Sequence, residues 1–531
     1  MPMTRRDALS RLAALLAMSA VPVRRKTLAA ARSSDPLAGT IADYLVGLEA
    51  GDWTAAEITA LALERCGTDG AAWRAIDVLD PDTALADARA ADARRREGRR
   101  LGPLDGVPVF AKSIYDMRGL PTTASSDEWA RLFPEPVTRD ALEVTRLRAG
   151  GAIVLGKTAA DDFAYRGNGT SSHTGQVLNP YDRTGARTPG GSSAGSAVAV
   201  AGAMAFAALG TDDGGSNRIP AQFSGVVGMK PTFGLVPRTG VIPTWPYLDT
   251  HGPLARTVAD AARLLAVIAG ADPSDPLALE TAWDLPALRD DALDGVRLGL
   301  VEAHVPRDAM TAEALSVWDR AVGDLRAAGA IVEPFTPAVT LQTVQEAFVR
   351  AALRRGDVAP DPRSPAPTAN ALFQYFEGRA DDPRATVRRG YAAYRAFYDV
   401  LPPTYKECEP LLGQPILEDP TGQSFARSRA AVVAELAASM RSQRIEAMIY
   451  PTMPFNAPRA VDDWPDIRTP LGYGNWLGLP EVSVPAGYGA DGMPALNVSI
   501  VGLPGEDAQV LAWAHAFERQ APRFEAPPRP I

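Results

Sequence analysis

Lysine, histidine and cysteine are all scarce in this 531-residue chain. Its two cysteines, Cys66 and Cys408, stand far apart, so neither a disulfide framework nor a C-x-x-C metal site can be drawn; one long-range bridge stays open. The four histidines, His173, His251, His304 and His515, show no paired spacing, which argues against a zinc or di-metal enzyme. No stretch supplies the roughly 18 uncharged apolar residues of a membrane helix, so no membrane span is expected. A net charge of −9 leaves no broadly basic surface, which speaks against nucleic acid as the main partner. The most informative scarcity is that of lysine, with five (Lys26, Lys112, Lys157, Lys230, Lys406) among 54 basic residues. Where arginine fills nearly every basic position, a lysine kept in an apolar stretch is a candidate for what arginine cannot do, which is to lose its proton.

What is present is a globular composition, 46% hydrophobic and 22% charged, on a chain long enough for a large core. The N-terminus reads as an address. Thr4-Arg5-Arg6-Asp7-Ala8-Leu9 resembles a twin-arginine export motif, followed by the apolar run Leu12 to Ala20 and by Ala29-Ala30-Ala31. Residues 1–34 are therefore expected to be a removed leader and the mature protein periplasmic or secreted, or cytoplasmic if the leader is not a signal.

From about residue 40 the pattern alternates between helix and strand. Thr54-Ala55-Ala56-Glu57 is a capping box opening a helix, and further helices are expected over Thr83–Glu97, Asp140–Ala149, Ala194–Ala208 and Thr311–Ala328. Strands are expected at Gly106–Ala111, Ala152–Leu155, Arg297–Val301, Ile331–Glu333, Met448–Tyr450 and Asn497–Val501. The fold class is α/β: residues 35–531 form one domain with a mixed twisted sheet, helices on both faces and a mostly helical cap or insertion over about 356–440.

Two motif matches fail on physical grounds. Gly151–Thr158 fits the phosphate-loop pattern, but its middle residues Ala152-Ile153-Val154-Leu155 read as a buried strand and cannot wrap a phosphate. Gly191-Ser192-Ser193-Ala194-Gly195 fits a nucleophile elbow, yet the polar loop Asp182–Gly190 precedes it where a hydrophobic strand is required.

Three segments carry the chemistry. Gly106–Ala111 delivers Lys112 at the end of a strand, Thr188–Ser196 is rich in Gly and Ser, and Leu209–Pro220 contains the turn Asp213-Gly214-Gly215-Ser216. Converging backbone N–H groups in such a turn suit a developing oxyanion. With Gly225–Thr232, Gly252–Val258, Tyr450-Pro451-Thr452 and Ser483–Gly487, these segments make the chain resemble an amidase signature family hydrolase over most of residues 40–520. The resemblance implies the amidase signature fold and a Ser-cisSer-Lys triad: Ser216 as nucleophile, Ser192 as the bridging serine in a cis peptide, and Lys112 as base. It also implies an oxyanion hole from the N–H groups of Asp213, Gly214, Gly215 and Ser216, and an acyl pocket lined by Ala164-Tyr165-Arg166-Gly167, with Tyr165 and Arg166 giving a polar or aromatic rim.

The residue chemistry agrees with those roles. A serine hydroxyl needs a neighbouring base, no histidine flanks the Gly/Ser segments, and burial among Val107, Val109 and Phe110 makes a neutral lysine accessible near pH 7. Ser193 and Ser196 read as packing or cap residues, Arg218 and Asp212 as loop-ordering partners, and Lys230 and His251 as structural. Asp213 stands where relatives generally carry a small or apolar residue, Asn217 where an aliphatic one is common, and Ser113 where an acidic one is frequent. The function implied is hydrolysis of a carboxamide, anilide, peptide amide or carbamate through an acyl-serine. It requires no metal or other cofactor, its partner is a small-molecule amide, and a homodimer is left open. The alternatives are a non-catalytic extracytoplasmic binding protein and an amidotransferase-type subunit.

Overall fold

In the computed structural model the described residues are 35–281, 283, 287–361, 363, 365–395, 409–461 and 469–530. The leader expected over residues 1–34, with Lys26, and also Lys406 and Cys408, lie outside the described residues. Cys66 is a buried free thiol.

The strands in chain order are β1 (Ile76–Leu79), β2 (Pro108–Lys112), β3 (Ile153–Thr158), β4 (Thr170–Ser171), β5 (Gly175–Gln176) and β6 (Ala207–Asp212). They continue as β7 (Val227–Lys230), β8 (Thr250–Ala255), β9 (Arg297–Val301), β10 (Ile331–Phe335), β11 (Ala447–Pro451), β12 (Glu481–Tyr488) and β13 (Pro494–Val501). Apart from the small β4–β5 pair they form one mixed sheet, ordered β1-β3-β2-β6-β8-β7-β12-β13-β11-β9-β10. β2 runs parallel to both β3 and β6, whereas β8 runs antiparallel to β6 and β7. Helices pack on both faces. Every residue of β2, β3, β6, β7, β8, β11 and β13 is buried, as expected for strands covered on both sides.

Local signals read from the sequence place several elements. The Thr54/Glu57 capping box opens the helix Ala55–Arg65, and Thr311 caps the helix Ala312–Ala327. Gly156-Lys157-Thr158 lies inside β3, and Lys157 Nζ donates to the Pro121 carbonyl (2.6 Å) and to Thr122 Oγ1 (3.0 Å). That lysine is a structural tie, which removes the phosphate-loop match.

The helix expected over Ala194–Ala208 needs correction. It stops at Ala201, the chain turns at Gly202-Ala203, and Ala207-Ala208 open β6. Alanine favours helix but does not oppose a strand, so the tertiary slot between β2 and β8 decides. Strands β7, β8 and β12 were hidden by their own Gly and Pro, residues that ordinarily demote a strand.

Described residues between 356 and 440 carry helices and no strand. They are tied to the segments beside the site: Tyr375 Oη donates to Asp116 Oδ1 (2.7 Å), and Tyr394 Oη and Thr368 Oγ1 donate to the Thr244 carbonyl (2.6 and 3.4 Å).

Candidate active site

Parallel pairing of β2 with β3 and β6 brings the C-terminal ends of all three strands to one edge. Lys112 is the last residue of β2, Thr211 and Asp212 end β6, and the Gly/Ser segment crosses the same edge before the helix Ala194–Ala201. Lys112 Nζ accordingly lies 2.7 Å from Ser192 Oγ, 2.9 Å from Thr211 Oγ1 and 3.1 Å from Ser193 Oγ. The Gly191–Ser192 peptide bond is cis. Lys112 and Ser192 are fully buried, and Ser216 is 7% exposed.

Ser216 reaches this cluster through the backbone. The Ser193 N–H donates to the Ser216 carbonyl (3.1 Å), laying the turn along the Gly/Ser segment. Among the described residues no hydrogen bond engages the Ser216 hydroxyl or the N–H groups of Asp213, Gly214 and Ser216. The Gly215 N–H does not share this freedom, because it donates to Asp212 Oδ1 at 2.7 Å. Of the four N–H groups expected to serve an oxyanion, the one on Gly215 is therefore already engaged within the turn. Two glycines are dictated by space. Gly215 has φ +121°, and a Cβ there would meet Leu471 Cδ2 at 2.5 Å; at Gly191 it would meet Asp161 Oδ2 at 2.5 Å.

Electrostatics favour a neutral lysine. Burial lowers the Lys112 pKa to about 8, against the opposing pull of Asp213, Asp161, Asp212 and Asp249. Burial also raises Asp161, which accepts from the Thr170 N–H at 2.6 Å, to about 7. Asp212 behaves oppositely. Burial alone would raise it, but the charge and hydrogen bonds of Arg218, with a bond from Asn475, hold it well below the usual carboxylate range. Arg218 makes 2.9 Å contacts to both Asp212 oxygens, donates to Glu481 Oε2 (2.6 Å) and donates to Asn475 Oδ1 (2.7 Å). Arg218 and Asp212 thus order the loop.

That network supports a stability prediction. Arg218→Leu removes the guanidinium and leaves the buried Asp212 and Glu481 uncompensated, which should cost about 3–5 kcal/mol. A thermal melt should show a Tm drop of several degrees, and an unchanged Tm would refute this view of the network.

Other expectations separate at this point. Ser193, read from sequence as packing, touches Lys112 and also accepts from the Thr211 N–H at 3.2 Å. Ser196 donates to the Leu209 carbonyl (2.9 Å), a packing role. His251 is a structural histidine, its Nδ1 2.5 Å from Glu143 Oε1 and its ring beside Tyr115. Ala164 is buried, while the Tyr165 ring meets Trp245 edge-on and lines a cavity of about 280 Å³ with Asp162 and Arg166. A larger cavity of about 370 Å³ under the cap is lined by Asp249, His251, Tyr375 and Arg379 but by none of Lys112, Ser192 or Ser216. Thr211, Asp161 and Asp249 are the neighbours that the sequence reading missed. Among the described residues no group of three or more His, Cys, Asp or Glu side chains could hold a metal, and no helix is long and apolar enough to cross a membrane.

The fold has known counterparts over most of the chain. The profile of the amidase family matches residues 57–511. In Symbiobacterium thermophilum, the A-type subunit of glutamyl-tRNA(Gln) amidotransferase is 35% identical over 506 residues, covering 90% of this chain and 96% of its own. The peptide amidase of Stenotrophomonas maltophilia superposes with a TM-score of 0.75 at 29% identity, covering 93% of this chain and 99% of its own. A bacterial aryl acylamidase, at 22% identity and a TM-score of 0.70 over 93% of this chain and 99% of its own, shares the fold. The chain belongs to the amidase signature family and is an enzyme of that family.

Proposed function

We propose that this protein is an amide hydrolase that works through an acyl-serine at Ser216, with Ser192 relaying protons between Ser216 and Lys112. The observation that carries the reading is a fully buried lysine, lowered to about 8, whose Nζ lies 2.7 Å from the Ser192 hydroxyl beside the Gly-Gly-Ser turn. Neutral Lys112 takes a proton from Ser192, and Ser192 takes one from Ser216 as Ser216 Oγ attacks the amide carbonyl. The N–H groups of Asp213, Gly214 and Ser216 receive the oxyanion. On collapse the C–N bond breaks, the relay returns the proton to the leaving amine, and water then cleaves the acyl-serine to release the acid.

The substrate classes that suit this chemistry are carboxamides, anilides, peptide amides and carbamates, and similarity to a peptide amidase supports a peptide amide among them. Similarity to the A-type subunits of amidotransferases supports a second reading, in which the same triad releases ammonia from glutamine for a partner. A non-catalytic binding role has less support, since all three triad residues are present. The test is a panel of peptide amides, anilides, urethanes and glutamine offered to the purified protein alone. Hydrolysis of non-glutamine amides without any partner is the expected result. Turnover confined to glutamine, and only with glutamyl-tRNA(Gln) and amidotransferase partner proteins, would overturn it in favour of the second reading.

A further inference from the structure

The antiparallel register of β6 and β8 pairs Thr211 with His251 and Asp212 with Thr250. One residue beyond the paired stretch, the Asp213 and Asp249 side chains come within reach of each other. Asp213 is 4% exposed, and both its carboxyl oxygens are buried without a hydrogen-bond donor. Asp249 is better provided, because its oxygens accept from the Thr244 N–H (3.1 Å) and the Trp245 N–H (2.8 Å). Two facing carboxyl groups in a buried site cannot both ionise. A carboxyl proton suits the Asp213 oxygens, which have no other described donor, and Asp249, already accepting two N–H bonds, is suited to accept from it.

We propose that Asp213 and Asp249 share one proton, with Asp213 as the acid and Asp249 as its acceptor, and that this pair keeps Asp213 uncharged and so positions Lys112 as a neutral amine. The inference rests on the reading of Lys112 as the base. Its consequence is chemical: an ionised Asp213 would stand in the turn where the oxyanion develops and would hold the proton on Lys112, opposing both halves of the reaction. Burial, followed by the Asp249 carboxylate, raises the Asp213 pKa well above the usual value, in keeping with this geometry. Other charged or titratable groups around the pair are Lys112, Asp212 and Tyr115, with Asp161 acting on Lys112, Arg238 on Asp249 and Glu143 on Tyr115, and His251 lining the same cavity as Asp249.

The test combines a pH profile with infrared difference spectroscopy. Asp213→Asn is neutral like the proposed acid and keeps a donor toward Asp249, so the acid-limb midpoint of kcat/KM should stay in place whatever happens to its plateau. Asp249→Asn lets Asp213 ionise and should move that midpoint up by about one pH unit, with the double variant returning it. The wild-type minus Asp213→Asn infrared difference at neutral pH should contain a protonated-carboxyl C=O band. Absence of that band, a downward shift in Asp213→Asn, or no shift in a folded Asp249→Asn would each overturn the proposal. If Asp249→Asn does not fold, the infrared band and the Asp213→Asn midpoint decide. The infrared result needs no turnover, so failure of this pair is distinguishable from failure of the hydrolase reading.

Discussion

Ser216→Ala should lose at least roughly 10⁴-fold in kcat, because no acyl-enzyme forms without the hydroxyl. The side chain makes no hydrogen bond to a described residue and is 7% exposed, so its removal should leave the melting temperature within a degree or two. Ser193→Ala is the contrast. Ser193 accepts from Lys112 at 3.1 Å but stands outside the proton path that runs from Ser216 through Ser192, so its loss should lower turnover by roughly tenfold without abolishing it. Turnover in a folded Ser216→Ala protein that matches wild type would remove the nucleophile from the account.

The second large effect concerns the base. Lys112→Arg and Lys112→Met should both lose roughly 10²–10⁴-fold or more in kcat/KM, the first because guanidinium holds its proton and the second because a thioether is no base. The sign of the pH dependence follows from the lowered amine. Below its pKa of about 8 Lys112 is protonated and cannot accept from Ser192, so kcat/KM rises as pH passes upward through about 8 and then levels. His251 stands apart from the relay: its Nδ1 lies 2.5 Å from Glu143 Oε1, and no described hydrogen bond joins its ring to Lys112, Ser192 or Ser216. Because position 112 is fully buried, circular dichroism and a thermal melt must accompany each variant. Near-normal turnover in a folded Lys112→Arg protein would contradict the relay.

Much of this site is legible in the sequence alone. Lys112 stands out because lysine is rare here and because it ends an apolar run, and Ser216 stands out by its Gly-Gly turn. Ser192 comes from the family resemblance, since no rule of composition or period distinguishes it from Ser193. What could not be read depends on pairing between distant strands. Thr211 meets Lys112 only because β6 lies beside β2, and Asp249 meets Asp213 only because β8 pairs with β6 in one register. The Gly-Pro within β8 concealed that strand, and with it Asp249 just before it. The commitment of the Gly215 N–H to Asp212 was likewise invisible, because it depends on how Arg218 and Asn475 orient the Asp212 carboxylate. The alanine run after Ser193 misled for a related reason: composition alone does not reveal where a helix gives way to a strand.

The central claim is that Lys112, through Ser192, activates Ser216 for attack. It is tested most directly by the rate at which a serine-directed phosphonate inactivates the wild-type protein across pH, with the adduct located by peptide mass spectrometry. The account predicts a single adduct on Ser216, formed at a rate that rises through about pH 8 and levels, and no adduct in Ser216→Ala. An adduct on another residue, or a labelling rate on Ser216 that does not change between pH 6 and 9, a span of roughly one to two units about the lysine, would contradict it.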